Sequence, residues 1–225
     1  MGKTAGFIQH PGVYFAQKTV LLMLSNLEWS QTNFSKKESM EVSKKTVSAD
    51  AMRAEWLEIQ AAQQNPAQFR PLYERYYDPI FRFVFRRTAD ESLSADLCSQ
   101  VFLKAIQRLD RYTFKGVPFS AWLYRIASNE VAQHFRGNQQ QRVVSINDSH
   151  VEELANELGA IDDGRQLENM VRLLDDLNPD DLEIIEMRFF EDKPFREIAD
   201  ILQITEANAK MKTYRILGRL KKKLE

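Results

Sequence analysis

Six residues near the C-terminus, Asn208, Lys210, Lys212, Tyr214, Arg215 and Arg219, carry the chemistry of nucleic-acid recognition at helical spacing. Their cationic groups displace counterions condensed on phosphates. Arg and Lys pair with guanine in the major groove and Asn with adenine, a good bidentate contact discriminating by about 1–3 kcal/mol. Ala209, Ile216 and Leu220 interleave with them and suit a face turned to the helix's own domain. Thr205 is placed as N-cap, and Lys221 to Lys223 prolong the positive charge. A solvated basic face on a terminal helix has the same composition, so the preceding residues must decide. Pro194-Phe195-Arg196-Glu197-Ile198-Ala199-Asp200-Ile201-Leu202 reads as a short helix ending in a tight turn at Gln203. Two helices so joined have the layout of a helix-turn-helix that lays its second helix in the major groove.

The whole chain does not advertise this charge. Its 225 residues have a formal net charge of −1, so any attraction to DNA is local. Hydrophobic content of 44% with 14 Phe is enough for cores, and 8 Gly with 7 Pro argue against a many-turned β protein. Length suggests one to two domains. A single Cys98 excludes an internal disulfide framework and fits a reducing cytoplasm. No apolar run approaches the roughly 18 residues needed to cross a bilayer, so no membrane insertion is expected.

Four stretches differ in character. Residues 1–55 mix turn residues and scattered Lys without a sustained period, and are expected to form a weakly structured extension. Met40 and Met52 lie in frame before the first clear helix. Residues 56–138 have helical apolar periodicity: Phe69, Leu72, Tyr73 and Tyr76 make one stripe, continued by Ile80, Phe83 and Val84. Pro79 is expected to start a helix with Asp78 as its N-cap. Helices are expected from Ser94 to Leu109 and from Phe119 to Phe135, separated by the breaker-rich loop Asp110 to Pro118. Residues 139–166 are an acidic linker, and residues 167–225 form a second helical unit in which Asn178 and Pro179 open a helix. The expected fold is all-α, two small helical domains on a flexible acidic tether.

Two segments resemble a known family. Asp96-Leu97-Cys98-Ser99-Gln100-Val101-Phe102-Leu103-Lys104-Ala105, with Phe114-Lys115-Gly116-Val117-Pro118-Phe119-Ser120-Ala121-Trp122-Leu123-Tyr124-Arg125-Ile126-Ala127-Ser128-Asn129, is similar to region 2 of extracytoplasmic-function (ECF) sigma factors of bacterial RNA polymerase. Leu174 through Leu220 resembles region 4 of the same family, and the two occur in the family's order.

The resemblance implies a cytoplasmic transcription initiation factor whose partners are core RNA polymerase and promoter DNA, with room for an anti-sigma factor. Region 4 would read the −35 element as duplex and meet the flap of the second-largest subunit. Region 2 would dock on the clamp of the largest subunit and capture the opened −10 strand. Flipping a base costs a few kcal/mol, and aromatic platforms return about 1–3 kcal/mol per stacked base. By resemblance the receiving loop offers Phe114, Lys115, Gly116 and Phe119, with Asn129, Gln133 and Arg136 where the duplex parts. Phe114, beside Gly116 in a loop, favours function; Trp122, at helical spacing with Ile126, favours core.

Asp96, Gln100, Lys104 and Arg108 recur every four residues, a polar ridge that with Phe102 would meet the polymerase clamp. Such a ridge is otherwise simply a wet face. Cys98 reads as a small buried residue. The linker's carboxylates are a solvated tether or, by resemblance, mimics of RNA in the polymerase exit channel. Against the family pattern, Gln203 replaces a turn Gly, Lys212 an Arg, Thr213 a Leu and Gln133 an Asp. Two other functions compete. A plain helix-turn-helix regulator would leave the first resemblance unexplained. An enzyme finds no support, because His10, His134 and His150 make no metal-ligand spacing and no phosphate-cradling Gly loop or nucleophile motif is present. No cofactor and no metal are expected.

Overall fold

The computed structural model describes residues 47–138, 151, 154 and 164–224. Its regular elements are all helical: α1 (Ala49–Gln64), α2 (Arg70–Thr88), α3 (Glu91–Arg108), α4 (Phe119–Asn138), α5 (Gly164–Asp175), α6 (Pro179–Ile185), α7 (Phe195–Leu202) and α8 (Glu206–Leu224). Short 3₁₀ turns precede α2 and follow α3, and a π turn, Glu186–Phe190, follows α6. Among the described residues no helix is long and apolar enough to cross a membrane.

The first helix begins earlier than the sequence suggested. Ser48 accepts from the Ala51 N–H at 3.1 Å and Asp50 occupies the first turn. Residues 49–55 are therefore helical and not part of an extension; a cap and one apolar stripe (Ile59 and Ala62, with Glu55) suffice to seat them. Residues 1–46 lie outside the described residues.

Pro79 is the second correction. It sits inside α2 and starts nothing, so the helix gives up one backbone hydrogen bond there. Tertiary packing compensates, because Leu72, Tyr73, Ile80, Phe83 and Val84 bury one continuous face across it. Asp90, accepting from the Leu93 N–H at 2.9 Å, starts α3 one turn before Ser94. Leu97, Cys98, Val101, Phe102 and Ala105 then face α2 and α4. A ladder of rings fills the centre, with Phe102 against Tyr73 at 4.8 Å and Phe69 against Phe119 at 6.5 Å.

A second core joins α5, α6 and α8 through Met170, Leu174, Leu182, Ile184, Ile185, Ile216 and Leu220. Asn178 accepts from the Asp181 N–H at 2.9 Å ahead of Pro179, as its position in the sequence predicts. Two residues of the segment expected to be a bare linker, Val151 and Leu154, are helical and fully buried in this core, and α5 begins at Gly164. Their aliphatic side chains gain more from burial than a polar tether could.

Candidate nucleic-acid interface

The helix-turn-helix forms as the sequence predicts. Helix α7 stops because Gln203 adopts φ 56°, ψ 42°, the left-handed conformation that glycine normally supplies. The Gln203 amide donates to the Asp200 carbonyl, binding the strained residue to the helix it terminates. Thr205 Oγ1 then accepts from the Asn208 N–H at 3.2 Å and α8 runs on. Ala209, Thr213, Ile216, Leu217 and Leu220 are its buried face. Lys210, Tyr214, Arg215 and Arg219 are exposed, with Asn208 and Lys212 partly so. Arg219 is shared, since it ion-pairs with Asp181 in the first turn of α6 while half its side chain stays exposed.

The loop between α3 and α4 has a cavity of ≈ 110 Å³ lined by Arg111, Tyr112, Thr113, Lys115, Val117, Trp122, Arg125 and Asp200. Three cations and an indole face around an opening of that size suit an unstacked base with its phosphate. Phe114 is 40% exposed and Lys115 is exposed beside it. Gly116 takes φ +72°, which fixes the turn that follows them. Phe119 does not line the loop. At 1% exposure it is core, wedged against Tyr112 and Trp122 at 5.1 and 5.3 Å. Trp122 packs against the core as expected and also keeps one side open as a cavity wall. Asn129, Gln133 and Arg136 are exposed along α4.

Periodicity gave no sign of how α1 braces this loop. Glu55, 8% exposed, accepts from the Phe119 N–H at 3.1 Å and from the Tyr76 hydroxyl, so a carboxylate sits at the N-terminal end of α4. Gln63 donates to the carbonyls of Leu109 and Tyr112 at 2.8 and 2.9 Å. Trp56 lies against the rings of Tyr112 and Phe114 at 6.1 and 6.2 Å. Burial, with the Glu55 and Asp200 charges, pushes the Tyr112 hydroxyl up to about 12, so it stays protonated. Arg111 and Arg125 are likewise additions to the expected set. The signal available was a Glu-Trp pair one turn ahead of Ile59 on an amphipathic stretch.

On α3 the ridge divides. Asp96, Gln100 and Arg108 are exposed, whereas Lys104 leans to Glu130 of α4 at 2.5 Å. Phe102 is fully buried among Phe69, Tyr73 and Tyr77 and presents nothing to a partner. Burial pushes the Cys98 thiol up to about 12, which makes it inert. Among the described residues no cluster of three or more His, Cys, Asp or Glu could hold a metal ion.

Comparison with known proteins adds to this geometry. The Sigma-70 region 2 family model matches residues 72–141 and the Sigma-70, region 4 model matches residues 167–220. The chain is 31% identical over 179 residues to the ECF RNA polymerase sigma factor BldN of Streptomyces coelicolor, covering 76% of this chain and 67% of that protein. It is 26% identical over 164 residues to the ECF RNA polymerase sigma factor SigX of Bacillus subtilis, covering 70% and 84%. Among solved structures, that of CnrH in complex with the cytosolic domain of CnrY shares the fold, with a TM-score of 0.50, 21% identity, and coverage of 73% of this chain and 92% of that one.

Proposed function

The chain belongs to the ECF sigma factors of bacterial RNA polymerase, and from that membership we propose how its residues divide the work of promoter recognition. It is a transcription initiation factor that directs RNA polymerase to promoters. In our reading residues 56–138 act as region 2 and residues 167–225 as region 4. The exposed face of α8 reads the −35 element as duplex, with Lys210, Lys212, Arg215 and Arg219 on phosphates and guanines and Asn208 and Tyr214 beside them. The cavity beside Lys115 receives an unpaired base of the −10 element, and Phe114 stacks upon a neighbour. Asn129, Gln133 and Arg136 stand where the strands part. Asp96, Gln100 and Arg108 of α3 meet the clamp of the largest polymerase subunit, and the second module meets the flap.

The observation that carries this reading is the loop cavity, where three cations and an indole surround a space of nucleobase size. An enzyme needs a reactive constellation, and this site offers cations, rings and one carboxylate, Asp200, already paired with Arg125. A plain duplex-binding regulator would have no use for such a cavity. An anti-sigma partner is compatible with the same surfaces; the neighbour CnrH is itself in complex with the cytosolic domain of CnrY.

Run-off transcription with core polymerase and a randomised promoter library tests the reading. The full chain should select one pair of elements. Lys115→Ala should reduce open-complex formation while leaving −35 duplex binding intact. Arg215→Ala should weaken that duplex binding by about 1–3 kcal/mol. If Lys115→Ala leaves open-complex formation unchanged, the loop is not the strand site.

A further inference from the structure

The outward side of α8 is drier than the composition of that helix suggests. Ala209, Thr213, Ile216, Leu217 and Leu220 turn to the interior. At about 100° per residue, the direction opposite that buried face falls on Met211, with Ala207 and Gly218 within about 45° of it. Lys210 and Tyr214 stand to one side of this ridge, Lys212 and Arg219 to the other, and Asn208 and Arg215 border it. Met211 is 60% exposed and belongs to neither core, whereas Tyr214 leans on Phe195 of α7, ring centroids 6.4 Å apart. A Cβ on Gly218 would meet nothing within 4 Å, so crowding inside the chain does not call for a glycine there. A bare backbone admits a close neighbour from outside.

A lone exposed apolar side chain is ordinary. This one stands on the line that would meet the groove floor. The major groove is about 12 Å wide and a helix about 10–12 Å across, so the centre of a seated helix meets base edges and its flanks meet the two phosphate walls. Lys210 and Lys212 then serve the walls, and Asn208, Met211 and Arg215 are left for the floor. Seven residues set Asn208 and Arg215 about 10 Å apart along the axis, the length of about three base steps. Asn and Arg recognise adenine and guanine by hydrogen bonds. A thioether arm is apolar and adaptable, and what rewards an apolar contact in that groove is the 5-methyl group of thymine.

We propose that Met211 is a specificity-determining residue that reads a thymine methyl group between the bases met by Asn208 and Arg215. The proposal rests on the reading of α8 as the −35 helix. Its contact depends on apolar area, so a single carbon decides it. Burying one such carbon changes affinity about fourfold (about 0.8 kcal/mol).

The test uses holoenzyme assembled from core polymerase and the full chain, with the promoter it enriches from a randomised library. Each thymine of the enriched upstream element is replaced in turn by deoxyuridine, which removes the methyl group and keeps every hydrogen-bonding group. Electrophoretic shift reads the affinity. One replacement should weaken parent binding about fourfold. Met211→Ala should bind the thymine promoter about fourfold more weakly and show no response to that deoxyuridine. Met211→Leu, which keeps an apolar arm, should retain the response, and its loss there would overturn an apolar contact. The inference is also overturned if every deoxyuridine is silent, or if Met211→Ala responds as the parent does. In those arms the −35 reading still stands provided Arg215→Ala weakens binding to the same promoter. If no upstream element is enriched at all, that reading fails and this inference with it.

Discussion

At the scale of the residue, burial separates the side chains that act from those that only look as if they could. Phe114 and Phe119 sit five apart in the same aromatic-rich segment, yet one is exposed and the other is core. Sequence spacing could not distinguish them, because the loop's path depends on Glu55 and Gln63 reaching across from α1. The same holds for Phe102, whose place on α3 puts it two residues from the wet ridge and about two hundred degrees around the helix from it. Glu197 shows what burial does to charge. Desolvation raises its carboxyl above the usual range, and the Lys193 ammonium, 3.7 Å away, only partly opposes this. The folded state therefore holds that proton more tightly than the unfolded chain. Its effect on stability is absent in acid and becomes a loss as pH rises from the ordinary carboxylate range through the raised value. Glu197→Gln should remove this slope and leave the melting temperature at neutral pH equal or higher, read by thermal denaturation across pH. A lower melting temperature throughout would mean that the pair with Lys193 dominates.

Among elements, those with a local chemical signature were legible. Asn178-Pro179 and Thr205 cap the helices they were expected to cap, and Gln203 turns left-handed where a glycine would be unsurprising. What escaped reading was set by distant packing: a proline carried through α2, a first helix seated by Trp56 and Glu55, and two aliphatic residues of an acidic stretch drawn into a core. The proline runs against local propensity and the other two do not, but tertiary burial decides where all three sit. Gln203 yields a prediction at this scale. A left-handed non-glycine residue costs about 1–2 kcal/mol, and the amide contact to Asp200 returns part of it. Gln203→Gly should therefore raise unfolding free energy by about 0.5–1 kcal/mol in urea titration, with −35 duplex affinity unchanged. A loss of stability would show that the side-chain contact outweighs the strain.

For the whole molecule, charge is segregated and then matched. A formal net charge of −1 conceals a basic reading helix, a basic cavity and a set of acids that face the second of these. Such a chain can be nearly neutral in bulk and still bind a polyanion, because the basic face of α8 is exposed.

Val151 and Leu154 bear on distance along the promoter. While they remain seated, 13 peptide steps separate Asn138, the last residue of α4, from the second core, and no chain of that length spans more than about 45 Å. If both let go, the count runs to Gly164 and the limit doubles to about 90 Å. Two methyl-bearing side chains thus act as the stop on a tape measure. Replacing both with Asp should let the factor accept a wider range of gaps between its two recognition elements, scored as transcripts from templates with graded spacers. An unaltered optimum would mean that the polymerase, and not this buried pair, sets the gauge.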